Sequence, residues 1–436
     1  MSGYHGNKQA STKRMQVESE PTVETVHLEF SLEQLKDMLR SGVHSLCTAA
    51  GLTVLYKMMD EDVTALAGPK GKHDPNRVGY RHGTEGTSVV LSGQRVAIQR
   101  PRVRSKNGTG ELPIETYEIA KNDDLLLEVA LARMLHGLSS RNYLKGQEAL
   151  PEDTKRHGSA KSTVSRRFTQ ATQAEFKRLM SRRLDSLNIS VLLLDGVEFA
   201  ETTVVVAMGI DETGAKHVLG MRLGATENAA VCKDLLADLV ERGLDAEDGL
   251  LAIIDGAKAL RSALKTVYGE RVLVQRCRVH KKRNVLDYLP KEQRPWVKRQ
   301  LTKAWAMTDA DEAIRSLKGL ATHLETHHPD AAGSLREGLE ETVTVMQLGV
   351  SGLLQKSLST TNAIESAFDT VRTHARNVKR WRNGNMIQRW TAAGLLAAEE
   401  RFRRIKGYKE MQALRTAIRR QTVEKAPEGE NERKTA

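Results

Sequence analysis

Apolar and polar positions change their period several times along this chain, and each change marks an expected element. Residues 1–28 are polar and charged with almost no apolar period, which predicts a disordered tail. From Leu32 to Met59, the residues Leu32, Leu35, Met38, Leu39, Leu46 and Leu55 recur at largely helical spacing and predict one or two helices. Between Arg77 and Arg104, SVVLSG and QRVAIQRPRVR alternate and predict a β-hairpin that turns Arg95, Arg100, Arg102 and Arg104 outward. Residues 29–120 are therefore expected to form a helical plus β-hairpin module. It is either a small DNA-contacting unit or a solvated basic edge. DDLLLEVALARMLH (123–136) reads as a helix, and STVSRRF as the start of another, capped by Ser162. There Val164 and Phe168 lie four apart while Arg166 and Arg167 point elsewhere. Residues 121–188 thus read as a helical, helix-turn-helix-like DNA-binding module, with an ordinary surface helix as the alternative.

From residue 190 the apolar runs lengthen. VLLLDGVEF, TTVVVAMGIDETG and AKHVLGMRLG predict three consecutive strands, followed by a helix at Asn228–Arg242, the strand LLAIID, a helix at Ala259–Tyr268 and the strand VLVQRC. That order gives an α/β fold class with a ribonuclease-H-like mixed sheet, expected to span 189–284 and 351–410. In that fold type the first and fourth strands are neighbours. Residues 285–350, with Trp296, Trp305, Ile314, Leu317 and Leu320, predict an all-helical insertion. A long helix is expected from Asn362 to Arg380. Its apolar face is Ile364, Ala367, Phe368, Val371, Ala375 and Val378, beside a stripe of Glu365, Asp369, Arg372, Arg376 and Lys379. Residues 411–436 read as a charged tail.

Charge adds a partner class to this outline. Lys and Arg total 67 against 55 Asp and Glu, a formal charge of +12 with pI near 9.5, which favours a polyanion such as nucleic acid. Solubility alone is the plainer account of the same surplus. Three scattered cysteines, Cys47, Cys232 and Cys277, encode no disulfide framework and fit a reducing cytoplasm. The N-terminus lacks the apolar core of a signal peptide, and no run approaches the ~20 apolar residues of a membrane span.

The candidate chemistry lies in three carboxylates: Asp195 in VLLLDGVEF, Asp255 in LLAIIDGAKAL and Glu365 in TTNAIESAFDTVR. Three such groups brought together repel one another unless protonated or neutralised by a divalent cation. Mg²⁺ prefers oxygen ligands, and two such ions suit in-line displacement at phosphorus; Mn²⁺ can substitute. Each carboxylate also has a structural reading. An Asp-Gly pair is often a turn, and Glu365 can complete a capping box with Asn362 as N-cap. Glu198, Glu201, Asp211, Glu399 and Glu400 are rivals for the same duties.

QRCRVHKKRN places Cys277 and His280 at C-x-x-H spacing directly after a strand. His323 and His327 would be needed to complete a zinc site, while a buried thiol and imidazole bracing the helices is the preferred structural account. Arg276, Lys281, Lys282 and Arg283 form a cationic run suited to phosphates or to solvent. Trp305 reads as helical core, with base stacking as the alternative.

Taken together, DGVEF, IIDGAKAL, QRCRVHKKRN and TTNAIESAFDTVRTHAR resemble, in order, the signatures of bacterial Mutator-type insertion-sequence transposases over residues 75–405. The stretch Ala367-Phe368-Asp369 departs from that pattern, where a more polar run with Asn is expected. The resemblance implies a DDE triad of Asp195, Asp255 and Glu365, with the family's C-x-x-H on Cys277 and His280. It further implies binding to double-stranded DNA at terminal inverted repeats, cleavage there and joining of 3′ hydroxyls to target DNA. Holding two ends implies a homodimer or higher assembly in the bacterial cytoplasm, at the nucleoid. A metal-dependent nuclease without strand transfer and a non-catalytic DNA-binding regulator are the competing accounts.

Overall fold

The computed structural model describes residues 43–422 apart from 73, 92–93, 109, 123, 139–154, 158–159 and 225–227. The tail expected over 1–28, the start of the first helical pattern (Leu32, Leu35, Met38, Leu39) and residues 423–436 lie outside the described residues. Two units are present, one drawn from 1–123 and 147–157, the other from 124–146 and 158–436.

In the smaller unit, helix α1 (Val43–Ala67) lays Met59, Val63 and Ala67 on an antiparallel hairpin, β1 (Gly79–Leu91) and β2 (Gln94–Ser105). Val96, Ile98 and Val103 are the buried apolar positions of β2, and the polar residues between them face outward. Register runs from Gly79↔Ser105 to Leu91↔Gln94, broken between Arg81 and Thr84, where Gly83 takes a φ of 75°. β3 (Glu111–Leu112) and β4 (Arg156–His157) also pair with β2, and α2 (Glu115–Ala120) follows β3. Of the outward arginines, Arg100 pairs with Glu85 at 2.7 Å and Arg102 with Glu111, so both are partly neutralised across strands. Arg95 donates to Ser88 Oγ and to the Lys121 carbonyl, and Arg104 is exposed.

The larger unit begins with α3 (Asp124–Leu135) and α4 (Lys161–Ser181). Residues 139–154 and 158–159, between these helices, lie outside the described residues. Ala160, with no side-chain cap, precedes α4, which corrects the expectation for Ser162: that residue lies in the first turn. Val164 and Phe168 are buried, while Arg166 is exposed and Arg167 half-buried.

The order expected after residue 190 is the order observed. β5 (Ile189–Phe199), β6 (Thr202–Asp211) and β7 (Lys216–Gly224) form an antiparallel meander. α5 (Ala229–Glu241), β8 (Leu250–Ile254), α6 (Lys258–Tyr268) and β9 (Val272–Arg276) follow. The sheet order is β7-β6-β5-β8-β9, with β8 parallel to both β5 and β9. Nearly continuous apolar runs form these strands because both faces are covered. One face packs on Leu235, Leu236 and Leu239 of α5 and Leu260 and Leu264 of α6.

After β9 come α7 (Arg278–Asp287), α8 (Arg294–Trp305), α9 (Ala310–Glu325), α10 (Pro329–Arg336) and α11 (Thr344–Gln347). They share their own core, including Val285, Leu301, Trp305, Leu317, Leu335 and Met346. Trp305 is buried and donates to Thr342 Oγ1, which fixes it as core. α12 (Gly352–Leu358), α13 (Asn362–Ala375), α14 (Gly384–Glu399) and α15 (Met411–Thr422) return to the sheet and cover its other face. α13 ends at Ala375, short of the expected Arg380, so Lys379 lies beyond the helix. The segment read as a charged tail starts with α15, which buries Met411, Leu414 and Ile418. Among the described residues no helix is long and apolar enough to cross a membrane.

Candidate active site

Register places the first two carboxylates. Leu194 of β5 pairs in parallel with Ile254, the last residue of β8, so Asp195 of β5 and Asp255, directly after β8, are the next residues along. Neighbouring strands lie roughly 4.8 Å apart, and register partners share a face. Val191, Leu193 and Val197 around Asp195, with Leu251 and Ile253 before Asp255, belong to the core shared with α13 and α14. Both aspartates therefore leave the sheet on that face. β5 itself continues past Asp195, pairing with β6 alone as far as Phe199, so Asp195-Gly196 is not a turn.

Glu365 approaches from α13, whose buried Ile364, Ala367, Phe368 and Val371 lie against the same face. The departure at Ala367-Phe368 is thereby explained: both positions are core. The expected capping box is absent, because Thr361 and not Asn362 is the N-cap residue. Glu365 Oε1 instead accepts a hydrogen bond from Thr361 Oγ1 at 2.6 Å. Asp195 Oδ1 accepts from the Gly196 N–H at 2.9 Å, and Asp255 Oδ1 from the Ala257 N–H at 2.8 Å.

The electrostatics of the site show at Asp195. Burial, with the Asp255 charge next and a smaller push from Glu365, raises the Asp195 carboxyl to about 7. A divalent cation such as Mg²⁺ would relieve this repulsion, but among the described residues the group whose donor atoms lie close enough to share an ion is Cys277, His280 and Glu365 and not the three carboxylates. The rival carboxylates are occupied elsewhere or turned away. Asp211 accepts from Thr213, Ala215 and His217 in the β6–β7 turn, and Glu399 holds Arg182 and the Val218 N–H. Glu198, Glu201 and Glu400 are exposed.

Cys277 and His280 stand beside Glu365. One atom from each of the three lies within 4.8 Å of the others, and His280 Nε2 is 3.9 Å from Glu365 Oε1. A hydrogen bond with Cys277 holds the imidazole well above its usual range; burial pushes the thiol up, and bonds from His280 and Thr361 outweigh it. His323 does not join them; its ring packs 5.0 Å from Trp296, and both line a cavity of about 290 Å³ with His327 and His328.

Two members of the cationic run, Arg276 and Lys281, are buried in this structure. Lys281 is 1 % exposed and donates to the carbonyls of Ser334 and Glu337, both at 2.6 Å, closing the end of α10. Burial, then the Arg276 charge, lowers its ammonium to about 8. Arg276 is 4 % exposed and pairs with Glu341 at 3.2 Å. Lys282 is half-buried and Arg283 exposed, as are Arg372, Arg376 and Lys379; Arg372 pairs with Asp369 at 3.0 Å. Sequence reasoning missed Thr361, whose only signal is its place four residues before Glu365.

Comparison with known proteins places this arrangement in a family. Residues 23–404 match the family described as "Transposase, Mutator family", and the chain belongs to it. It is similar to the transposase for insertion sequence element ISRM5 of Rhizobium meliloti (strain 1021), 27% identical over 394 residues that cover 87% of this chain and 94% of that protein. The transposase for IS256 in transposon Tn4001 of Staphylococcus aureus is 24% identical over 85% of this chain and 95% of its own length. The transposase for IS6120 of Mycolicibacterium smegmatis is 29% identical over 58% of this chain and 77% of its own length.

Proposed function

We propose that this chain is an insertion-sequence transposase that cuts and joins DNA at a DDE site made of Asp195, Asp255 and Glu365. The observation that carries the reading is the Leu194↔Ile254 register, which brings the two aspartates together on the sheet face that α13 covers. We read residues 189–284 and 351–410 as a ribonuclease-H-like catalytic domain and 285–350 as a helical insertion within it. The three carboxylates would hold two Mg²⁺, with Mn²⁺ able to substitute. When bound, such ions activate the attacking water or 3′ hydroxyl and stabilise the departing oxygen. The chain's own contribution is placement: Gly196 and Ala257 N–H groups fix one oxygen of each aspartate, and Thr361 fixes one of Glu365.

Double-stranded DNA is the partner the surface suits. Arg166, Arg283, Arg376, Lys379 and Arg104 are exposed cations able to meet phosphates, and Arg167, Lys282 and Arg372 lie beside them in sequence or on the same helices. Arg100 and Arg102 would have to exchange Glu85 and Glu111 for phosphate. Terminal inverted repeats are the expected specific sites. Because two ends must be held together, a homodimer or larger assembly is the working form.

Asp195→Ala, Asp255→Ala and Glu365→Gln should each abolish Mg²⁺-dependent nicking and joining at the element's ends while leaving repeat binding unchanged in a gel-shift assay. Nicking by the unchanged protein without joined products would favour a plain nuclease. Tight binding without any cleavage would favour a regulator.

A further inference from the structure

The three carboxylates differ in how firmly the chain holds them. Asp195 on β5 and Asp255 directly after β8 are short side chains, each with an oxygen tied to a backbone N–H one or two residues on. Glu365 is longer, sits on a helix and is 36% exposed, so the backbone alone leaves it mobile. Its tie is the Thr361 hydroxyl at 2.6 Å.

Thr361 is itself fixed from the other side. Its side chain is completely buried, and its backbone N–H donates to Cys277 Sγ at 3.4 Å. The hydroxyl lies 3.4 Å from both Cys277 Sγ and His280 Nδ1. A hydroxyl has one proton, and the shorter contact assigns it to Glu365. The Thr361 oxygen is then left to accept from the imidazole. Cys277 in turn donates its N–H to the Ile254 carbonyl at 2.7 Å, the residue before Asp255. The next residue, Arg278, donates its N–H to the Ser359 carbonyl at 2.9 Å. A continuous path of contacts therefore runs from the end of β8 through Cys277 and Thr361 to Glu365.

We propose that Thr361 and Cys277 are positioning residues that aim the Glu365 carboxylate at the strand aspartates, giving the C-x-x-H motif a role as a tie between β8 and α13. This rests on the reading of Glu365 as a metal ligand given above. Outer partners of metal-binding carboxylates typically alter affinity 10- to 100-fold when removed.

The test uses the full chain, with Mn²⁺ binding followed by electron paramagnetic resonance in the absence of DNA, beside cleavage at rising Mg²⁺. Thr361→Val should weaken Mn²⁺ binding about 10- to 100-fold and raise the Mg²⁺ needed for cleavage. Thr361→Ser, which keeps the hydroxyl, should bind and cleave like the unchanged protein. Cys277→Ala should move both readouts in the same direction as Thr361→Val, and it asks the same question if the valine variant does not fold. Parental Mn²⁺ binding in folded Thr361→Val and Cys277→Ala would overturn the proposal. Glu365→Gln separates the two levels: if it binds metal and cleaves normally, the ligand reading fails. If it is inactive while Thr361→Val is unaffected, only the positioning role fails.

Discussion

Asp195 is the buried member of the proposed triad. In the metal-free protein its carboxyl titrates at about 7 against 3.8 for an ordinary aspartate, because burial and Asp255 disfavour the charge. The folded state then holds more protons than the unfolded chain between those values, so this group takes stability away as pH rises from about 4 to 7. Below that window it contributes nothing adverse; above it the loss is constant, on the order of a few kcal/mol. Asp195→Asn should therefore melt higher than the unchanged protein at pH 8 in EDTA, with the difference shrinking toward pH 4. Parallel melting curves across that range would show that the burial effect is absent. That Asp195 and Asp255 stand within or directly after buried strands was legible in their apolar runs. Thr361 was not, because Cys277 meets it through tertiary packing and its place four residues before Glu365 is too common a spacing to single it out.

At the scale of elements, α7 shows why a charge run cannot be read from sequence alone. QRCRVHKKRN looks uniformly cationic, yet Arg276 and Lys281 turn inward while Arg283 faces solvent. Helical period explains the split within α7, since Lys281 and Val285 fall four apart on the buried side. What the period could not supply is the acceptor pair, Ser334 and Glu337, which comes from the end of α10. Lys281→Met should leave those carbonyls without a donor and cost about 2–4 kcal/mol in denaturant unfolding. The salt dependence of DNA binding should not change, whereas Arg283→Ala should leave stability intact and reduce the salt slope by about one charge. A Lys281→Met protein of normal stability would contradict the capping role.

For the whole molecule, the sheet was the most legible part. Strand and helix order from residue 190 followed from apolar runs and their breaks, because strands buried on both faces write their length into the sequence. Register did not follow, since Leu194↔Ile254 depends on how two distant segments meet. Nor did the division into units, in which α3 and α4 fall in the same unit as the large sheet. The central claim, that residues 195, 255 and 365 share one divalent-metal site, can be tested without knowing the DNA substrate. Fe²⁺ with ascorbate in place of Mg²⁺ cuts a polypeptide beside the bound ion. The account predicts backbone cuts near residues 195, 255 and 365 together, suppressed by excess Mg²⁺ and lost in Asp195→Ala. Cuts confined to one of these segments, or unchanged by that substitution, would contradict it.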